Sequence, residues 1–467
     1  MKNGILYKLM LVIICGLLFA GCAGGPAKQE TQTSTLKVMF WDESYFFTQY
    51  GDLFTMKNPN IEIEVANMQS IYNDEEKDYD KAFAKFVEKE QPDVILLNST
   101  ENYEKFAAEG KLMDLDTLIA RDKYDTETIY PALIELLKEK GGGKLYGLAS
   151  SFNVNAIFYN ADLFSKYGID PPHDGMTWQE IIDTARRFPT DGDKDSRIYG
   201  YGSRYGDAFG ELSSAIAMTQ GLQALNPDTK KMTINSDSWK QAFQLALDGV
   251  KSKAIYDPGD NGFSGGTMEE YYKSQPFLMG RLAMTIDGPY LLQYLKEAKN
   301  AVKDYKPFQI GIVAGPVDPA LPDSTRDVSF NEIFAIRADS PNADAAWEFL
   351  KFVNGEEYAK VKSRTLNNGL LSRMGVMKDY EGQSLDAFYK LKPADSSGGY
   401  MGISDAPDSF YGQYQQIKDR ELDLVQKGSK SIDEALQKIQ EDGQVALDKA
   451  YKEEEAKKEE GKEDTSS

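Results

Sequence analysis

The sequence predicts an α/β fold, and three observations lead there. Short apolar runs alternate with helical stretches through the opening third of the chain. One of those runs, Pro92-Asp-Val-Ile-Leu-Leu97, is continuously apolar, as a strand covered on both faces of a parallel sheet must be. The body of roughly 410 residues is long enough for two or three domain-sized units. It carries no cysteine after Cys22, so packing rather than disulfides must hold it together.

The elements follow in order. Leu36–Trp41 and Ile61–Val65 alternate like strands, with a helical pattern over Thr48–Lys57 between them. In Asp74–Glu90, Tyr79, Phe83, Phe86 and Val87 share one helical face opposite a charged one. The strand of Pro92–Leu97 is followed by a helix over Glu101–Glu109, closed by Gly110 as its left-handed stop. Leu145–Leu148 and Ala156–Tyr159 are extended, and Asn160–Tyr167 begins a run of helices. Thr177-Trp-Gln-Glu180 is a capping box for a helix to Phe188, and Ser431-Ile-Asp-Glu434 opens the last one. Ser236 caps a helix through Lys251. Arg281–Ile286, Gln309–Ala314 and Phe330–Ile336 are strands, and Asp287-Gly-Pro289 turns the first of them into a helix at Tyr290. Ser340-Pro341 supplies an N-cap and N1 proline for a helix ending at Gly355. From Glu453 the chain is almost all Glu and Lys, which reads as a solvated tail.

The amino terminus has the layout of a signal peptide, with Lys2 and Lys8 ahead of an apolar Leu9–Phe19 and then small residues. That apolar run is shorter than the ~18–20 residues that span a bilayer. Phe19-Ala-Gly-Cys22 resembles a bacterial lipobox, with Phe19 where leucine is usual, which makes Cys22 the expected acylated residue. Acyl chains contribute ~0.8 kcal/mol per buried CH₂, and the Gly-, Gln- and Thr-rich stretch to Thr35 is a flexible tether. The formal charge is −21, and loss of Lys2 and Lys8 makes it more negative still. Such a surface argues against nucleic acid and against electrostatic adhesion to anionic lipid.

Catalytic signatures are few. The one histidine, His173, lies in the turn Asp170-Pro-Pro-His-Asp-Gly-Met176 without partners for a triad or a metal centre. No phosphate-binding glycine loop stands between a strand and a helix. Tyr201 and Tyr205 lie in a polar, glycine-flanked stretch, and Tyr290 follows Asp287-Gly-Pro; flat aromatic faces beside amides and carboxylates suit a sugar. Asp191, Asp193 and Asp195 occupy positions one, three and five of an EF-hand-like loop, but position six is Ser196 and no Glu stands at position twelve. Both an ordinary acidic turn and a structural calcium site fit that stretch.

Five blocks in order resemble one family: TLKVMFWDE, QPDVILLNS…FAAEGKLMDLD, KLYGLASSFNVNAIFYNADLFSKYGIDPPHDGMTWQEI, FLMGRLAMTIDGPYLL and SFNEIFAIRADSPNADAAWEFLKFV. They resemble the extracellular solute-binding proteins of bacterial ABC importers, in the carbohydrate-binding, maltose-binding-protein-like group. The resemblance implies a two-lobed fold with a ligand cleft between lobes. Residues 1–21 would be signal peptide, 22–35 lipidated tether, 36–150 plus 310–355 lobe 1, 151–309 plus 356–451 lobe 2, and 452–467 a disordered charged tail. Ligand contacts are then expected from Trp41, Asp42, Glu43, Asn98, Ser99, Glu101, Ser151, Asn153, Tyr201, Tyr205, Asp287, Tyr290, Asn331 and Glu332, most of them off the carboxyl ends of strands. Relatives commonly show Gly-Pro-Trp where this chain has Gly288-Pro-Tyr290. The resemblance implies binding without turnover, a monomer on the extracytoplasmic face of the membrane, and delivery of sugar to a permease. No cofactor is expected beyond a structural Ca²⁺ at the Asp191–Arg197 loop. A lipid-anchored carbohydrate-active enzyme and a sugar sensor feeding a receptor are the alternatives.

Overall fold

The computed structural model describes residues 33–464 except 74–78, 194–195, 203–206, 259–264, 395–401 and 404–405. The leader, Cys22 and the expected tether up to residue 32 lie outside that range, and the tether's expected end at Thr35 is corrected, since Ser34 and Thr35 already belong to the first strand. In chain order the first strands are β1 (Ser34–Phe40), β2 (Ile61–Asn67), β3 (Val94–Leu97) and β4 (Gly147–Leu148). The chain then crosses along β5 (Ser151–Val154) into β6 (Ala156–Asn160) and β7 (Tyr199–Gly202). A small hairpin of β8 (Leu225–Asn226) and β9 (Lys231–Met232) precedes β10 (Ile255–Tyr256), β11 (Leu282–Asp287) and β12 (Ile310–Val313). It returns through β13 (Ser324–Thr325), β14 (Val328–Ser329) and β15 (Ile333–Ile336), and β16 (Leu370–Leu371) follows.

These strands form two five-stranded sheets, ordered β2-β1-β3-β15-β4 and β10-β7-β11-β6-β12, with the three-stranded β14-β5-β16 between them. The two sheets are the two lobes, and the small sheet is the hinge. Parallel pairing of β1 with β2 and β3 explains the apolar run at 94–97, which is buried throughout. The lobe boundaries expected from sequence need correction. Strand β12 pairs antiparallel with β6 (Ile310↔Asn160 to Val313↔Ile157) and so belongs to lobe 2. The first sheet is rejoined only at β15, where Ile333 opposes Leu97. Residues after 355 also differ, because Tyr358 stacks on Tyr50 and packs against Phe352 of lobe 1, and Leu370 joins the small sheet opposite Phe152. Pairing partners of short apolar strands are not written in their own periodicity, which is why those boundaries were misplaced.

Lobe 1 is built on interlocking rings. Phe40, Phe46, Tyr50, Phe334 and Phe349 are all fully or almost fully buried, with centroids 5.4–6.3 Å apart. Edge-to-face pairs of this kind contribute ~0.5–1.5 kcal/mol beyond their buried area. In lobe 2, Trp178, Tyr201, Phe209, Trp239 and Phe243 pack with Leu436, Ile439 and Leu447 of the last helix. Close approach sets one strand there: a Cβ on Gly200 would collide with the Ala185 backbone, so glycine brings β7 against the helix Trp178–Ala185.

Local signals place the helix starts well. The capping boxes of Thr177 and Ser431 are both formed. Ser236 caps Asp237–Lys251, and Gly110 adopts φ +69°. Two starts shift. Asp42 caps a helical stretch from Glu43, ahead of the expected Thr48. The helix expected at Pro341 begins at Ala343; Ser340 Oγ donates to buried Asp93 at 2.6 Å and accepts from Asn342 N at 3.1 Å, holding the turn before it. The tail also differs from expectation, since the last helix runs Ile432–Asp464. Lys449 and Glu453 pair at i,i+4, and Glu454 comes within 3.9 Å of Lys81 on lobe 1, so the segment gains partners that a solvated tail lacks.

Candidate ligand cleft

The hinge sheet divides the site into two walls. Val328 opposes Val154 and Ser329 opposes Asn153, forming the floor between lobes. Off its lobe 1 end lies a cavity of about 370 Å³ lined by Trp41, Asn98, Ser151, Asn331 and Glu332, together with Tyr45, Phe330, Asn367 and Asn368. Off its lobe 2 end lies a second, about 380 Å³, which includes Asn155, Tyr201, Tyr256, Glu211, Arg326 and Asp327. Five of the fourteen expected residues therefore meet in one cavity and a sixth, Tyr201, lines the other.

Strand ends supply the lobe 1 wall. Trp41 leaves β1 half-buried, and Tyr45, one turn into the next helix, is 41% exposed. Both offer aromatic surface. Asn98 leaves β3 and donates to Tyr79 Oη at 3.3 Å, which fixes its amide. Tyr290 stands at the hinge, donating from Oη to Asn153 Oδ1 at 2.5 Å, and Asn331 also bonds its hydroxyl. Burial pushes the Tyr290 phenol up, so it stays a donor at neutral pH.

Four expected contacts have other duties. Asp42 Oδ1 accepts from Tyr45 N at 2.8 Å and Ser99 Oγ from Asn102 N at 3.2 Å; both are helix N-caps. Glu43 and Glu101 are exposed first-turn residues of those helices, where a carboxylate favours the helix dipole. None of these four lines either cavity. Asp287 Oδ1 accepts from Gly288 N at 2.8 Å, closing the turn that aims Tyr290. Tyr201 is buried with its ring edge on Trp178 at 5.7 Å, so it is a wall of the core as much as of the cavity. Tyr205 lies outside the described residues.

The acidic loop is described only in part. Asp191 and Asp193 are exposed, Asp195 lies outside the described residues, and Arg197 in the same loop donates to Thr190 O at 2.5 Å and Lys253 O at 2.9 Å. Among the described residues no cluster of three His, Cys, Asp or Glu side chains could hold a metal. His173 is an exposed turn residue with Nδ1 2.9 Å from Asp174 O.

Two ionisable groups in the walls are strongly perturbed. Burial lifts the Glu332 carboxyl to about 7, opposed by a hydrogen bond from Tyr50 and by Lys362. Burial also raises Asp327, opposed by hydrogen bonding from Asn155. Sequence reading missed Asn155, although it lies two residues beyond Asn153 on the same crossing. It also missed Asn367 and Asn368, for which no local signal existed. These reach the cavity through Gly369, whose φ is +83° and whose Cβ would sit 2.5 Å from Asn153 Oδ1 and 2.6 Å from Phe152 O. Only glycine allows the third crossing to lie that close to β5.

A family model described as bacterial extracellular solute-binding protein matches residues 27–360. The chain belongs to the bacterial extracellular solute-binding protein family. Within this family it is 23% identical over 373 residues to the arabinooligosaccharide-binding protein of Bacillus subtilis (strain 168), covering 78% of each chain. It is 26% identical over 257 residues to a protein of Brucella abortus (strain 2308) named only as a binding protein. That match takes in 54% of this chain and 57% of the relative's length. A sugar transporter from Rhizobium etli, solved in an open conformation, superposes with a TM-score of 0.61 at 21% identity. It covers 88% of this solute-binding protein and 99% of its own chain, and it bears out the two-lobed fold.

Proposed function

We propose that this solute-binding protein holds a saccharide between its lobes and delivers it to a membrane permease, tethered meanwhile by an acylated Cys22. The observation that carries the reading is the pair of cavities at either end of one hinge sheet, combining aromatic rings with hydrogen-bonded amides. Rings stack on the C–H faces of a sugar, while Asn98, Asn331 and Asn155 exchange hydrogen bonds with its hydroxyls. A ligand touching both walls gains contacts available only when the lobes approach, which shifts the hinge equilibrium towards closure. The lipobox-like Phe19-Ala-Gly-Cys22 supports the tether, and the named arabinooligosaccharide-binding relative supports a saccharide as ligand.

A thermal-shift screen over arabino-, malto- and other oligosaccharides tests the reading. Ligand at 100 times its Kd adds about 2.7 kcal/mol of stability. Small-angle scattering with the best ligand should show compaction. Product formed from labelled oligosaccharide would instead identify an enzyme, and the absence of any stabilisation or heat across the panel would refute saccharide binding.

A further inference from the structure

Resting on that saccharide reading, we propose that ligand capture in the lobe 1 cavity is coupled to proton uptake by Glu332. Glu332 is 9% exposed, at the residue before β15, and forms part of the cavity wall. Four titratable groups interact with it, all from helical segments, while Trp41, Asn98, Ser151 and Phe330 of the shared wall carry none. Tyr45 comes from the helix Glu43–Phe46, Tyr50 from the following turn at Phe47–Gly51, and Tyr358 and Lys362 from the helix Glu356–Lys362.

Only one of these donates to the carboxyl in the structure: Tyr50 Oη to Glu332 Oε2. Lys362 is turned elsewhere. Its Nζ donates to Gln49 Oε1 at 2.6 Å and lies 5.8 Å and 5.3 Å over the rings of Tyr50 and Tyr358. Among the described residues Glu332 makes no ion pair. An ionised carboxyl here is supported by one phenol, by the more distant charge of Lys362 and by whatever solvent reaches the cavity. Burial, which already lifts it to about 7, is the largest influence on it.

A saccharide entering this cavity displaces that water, and closure of the lobes removes more. Saccharide hydroxyls are neutral and replace bulk hydration incompletely, so the charged form loses more than the neutral form. The proton comes from solvent and bonds to one carboxyl oxygen of Glu332. No other bond forms or breaks. The resulting O–H donates to a saccharide oxygen, while the other oxygen keeps the Tyr50 hydrogen bond. Glu332 thereby also selects for an acceptor at that point of the ligand.

Calorimetry on the full-length protein tests this, with arabinotriose and maltotriose as probes. Titrations at pH 6, 7 and 8 are run in buffers of low and high ionisation enthalpy. Proton uptake gives an observed heat that changes with the buffer, and an affinity that rises as pH falls. If binding raises the Glu332 pKa by one unit from about 7, Kd is about five-fold tighter at pH 6 than at pH 8. Glu332→Gln should flatten Kd across that range and abolish the buffer dependence. Tyr50→Phe, which removes the donor that favours the ionised form, should move the midpoint to higher pH. Binding heat that is independent of buffer and a Kd that is flat with pH in the wild type overturn proton uptake but leave saccharide binding standing. No heat with either probe and no stabilisation by any member of the screening panel overturns both.

Discussion

Gly369 is where the hinge is most sharply constrained, and Gly375 provides its control. The two have nearly the same backbone, φ +83° and φ +79°, in the same stretch of chain. Alanine at Gly375 meets nothing within 4 Å, so Gly375→Ala should cost only the left-handed conformation, ~1–2 kcal/mol. Alanine at Gly369 meets Asn153 Oδ1 at 2.5 Å and Phe152 O at 2.6 Å, and one of these is backbone that cannot rotate away. Overpacking adds ~1–3 kcal/mol, so Gly369→Ala should lose about 2–5 kcal/mol. It should also disturb binding, because Asn153 holds Tyr290 and the third crossing carries Asn367 and Asn368 into the cavity. Urea unfolding of both variants, with calorimetry on the best saccharide, reads the two effects. Equal loss of stability in the two variants, with unchanged affinity in both, would refute the claim that close approach at Gly369 builds the site.

Removing the ring of Trp41 or Tyr45 by alanine should weaken saccharide binding by roughly 1–3 kcal/mol each, measured by calorimetry; wild-type affinity in both would take the lobe 1 cavity out of the site. Tyr290→Phe deletes the hydroxyl that bonds Asn153 and should cost about 1 kcal/mol of stability. Arg373 is buried and donates to Asn354 O at 2.9 Å and Tyr124 Oη at 3.1 Å, so Arg373→Met should destabilise lobe 1 by about 3 kcal/mol in denaturant titration. Glu332 binds its proton more tightly folded than unfolded, so the stability it confers is complete below the ordinary carboxylate range and is lost as pH rises through about 7. Glu332→Gln should therefore gain on the wild type between pH 5 and 8, by up to about 3 kcal/mol; parallel stability–pH curves would show that the carboxyl is not perturbed.

What could be read directly was chemistry held within a few residues. The capping boxes at Thr177 and Ser431, the stop at Gly110 and the apolar run at 94–97 each depend on neighbours in sequence, and each formed as expected. Ordered sequence blocks likewise led to the family. Strand carboxyl ends then gave Trp41 and Asn98, because α/β sheets open their crevices there, and the crossings that the resemblance implies gave Ser151, Asn331 and Glu332.

The same local chemistry misled at Asp42 and Ser99, where a polar residue after a strand serves equally as a helix cap and the sequence does not say which. Tertiary structure alone decided that β12 joins lobe 2, because register is fixed by a partner some 150 residues away, where Ile310 meets Asn160. It alone brought Asn367 and Asn368 to Trp41, by a crossing that only a side-chain-free residue permits. And it alone perturbed Glu332, since a carboxyl's ionisation depends on what surrounds it and Tyr50 and Lys362 reach it from distant parts of the chain.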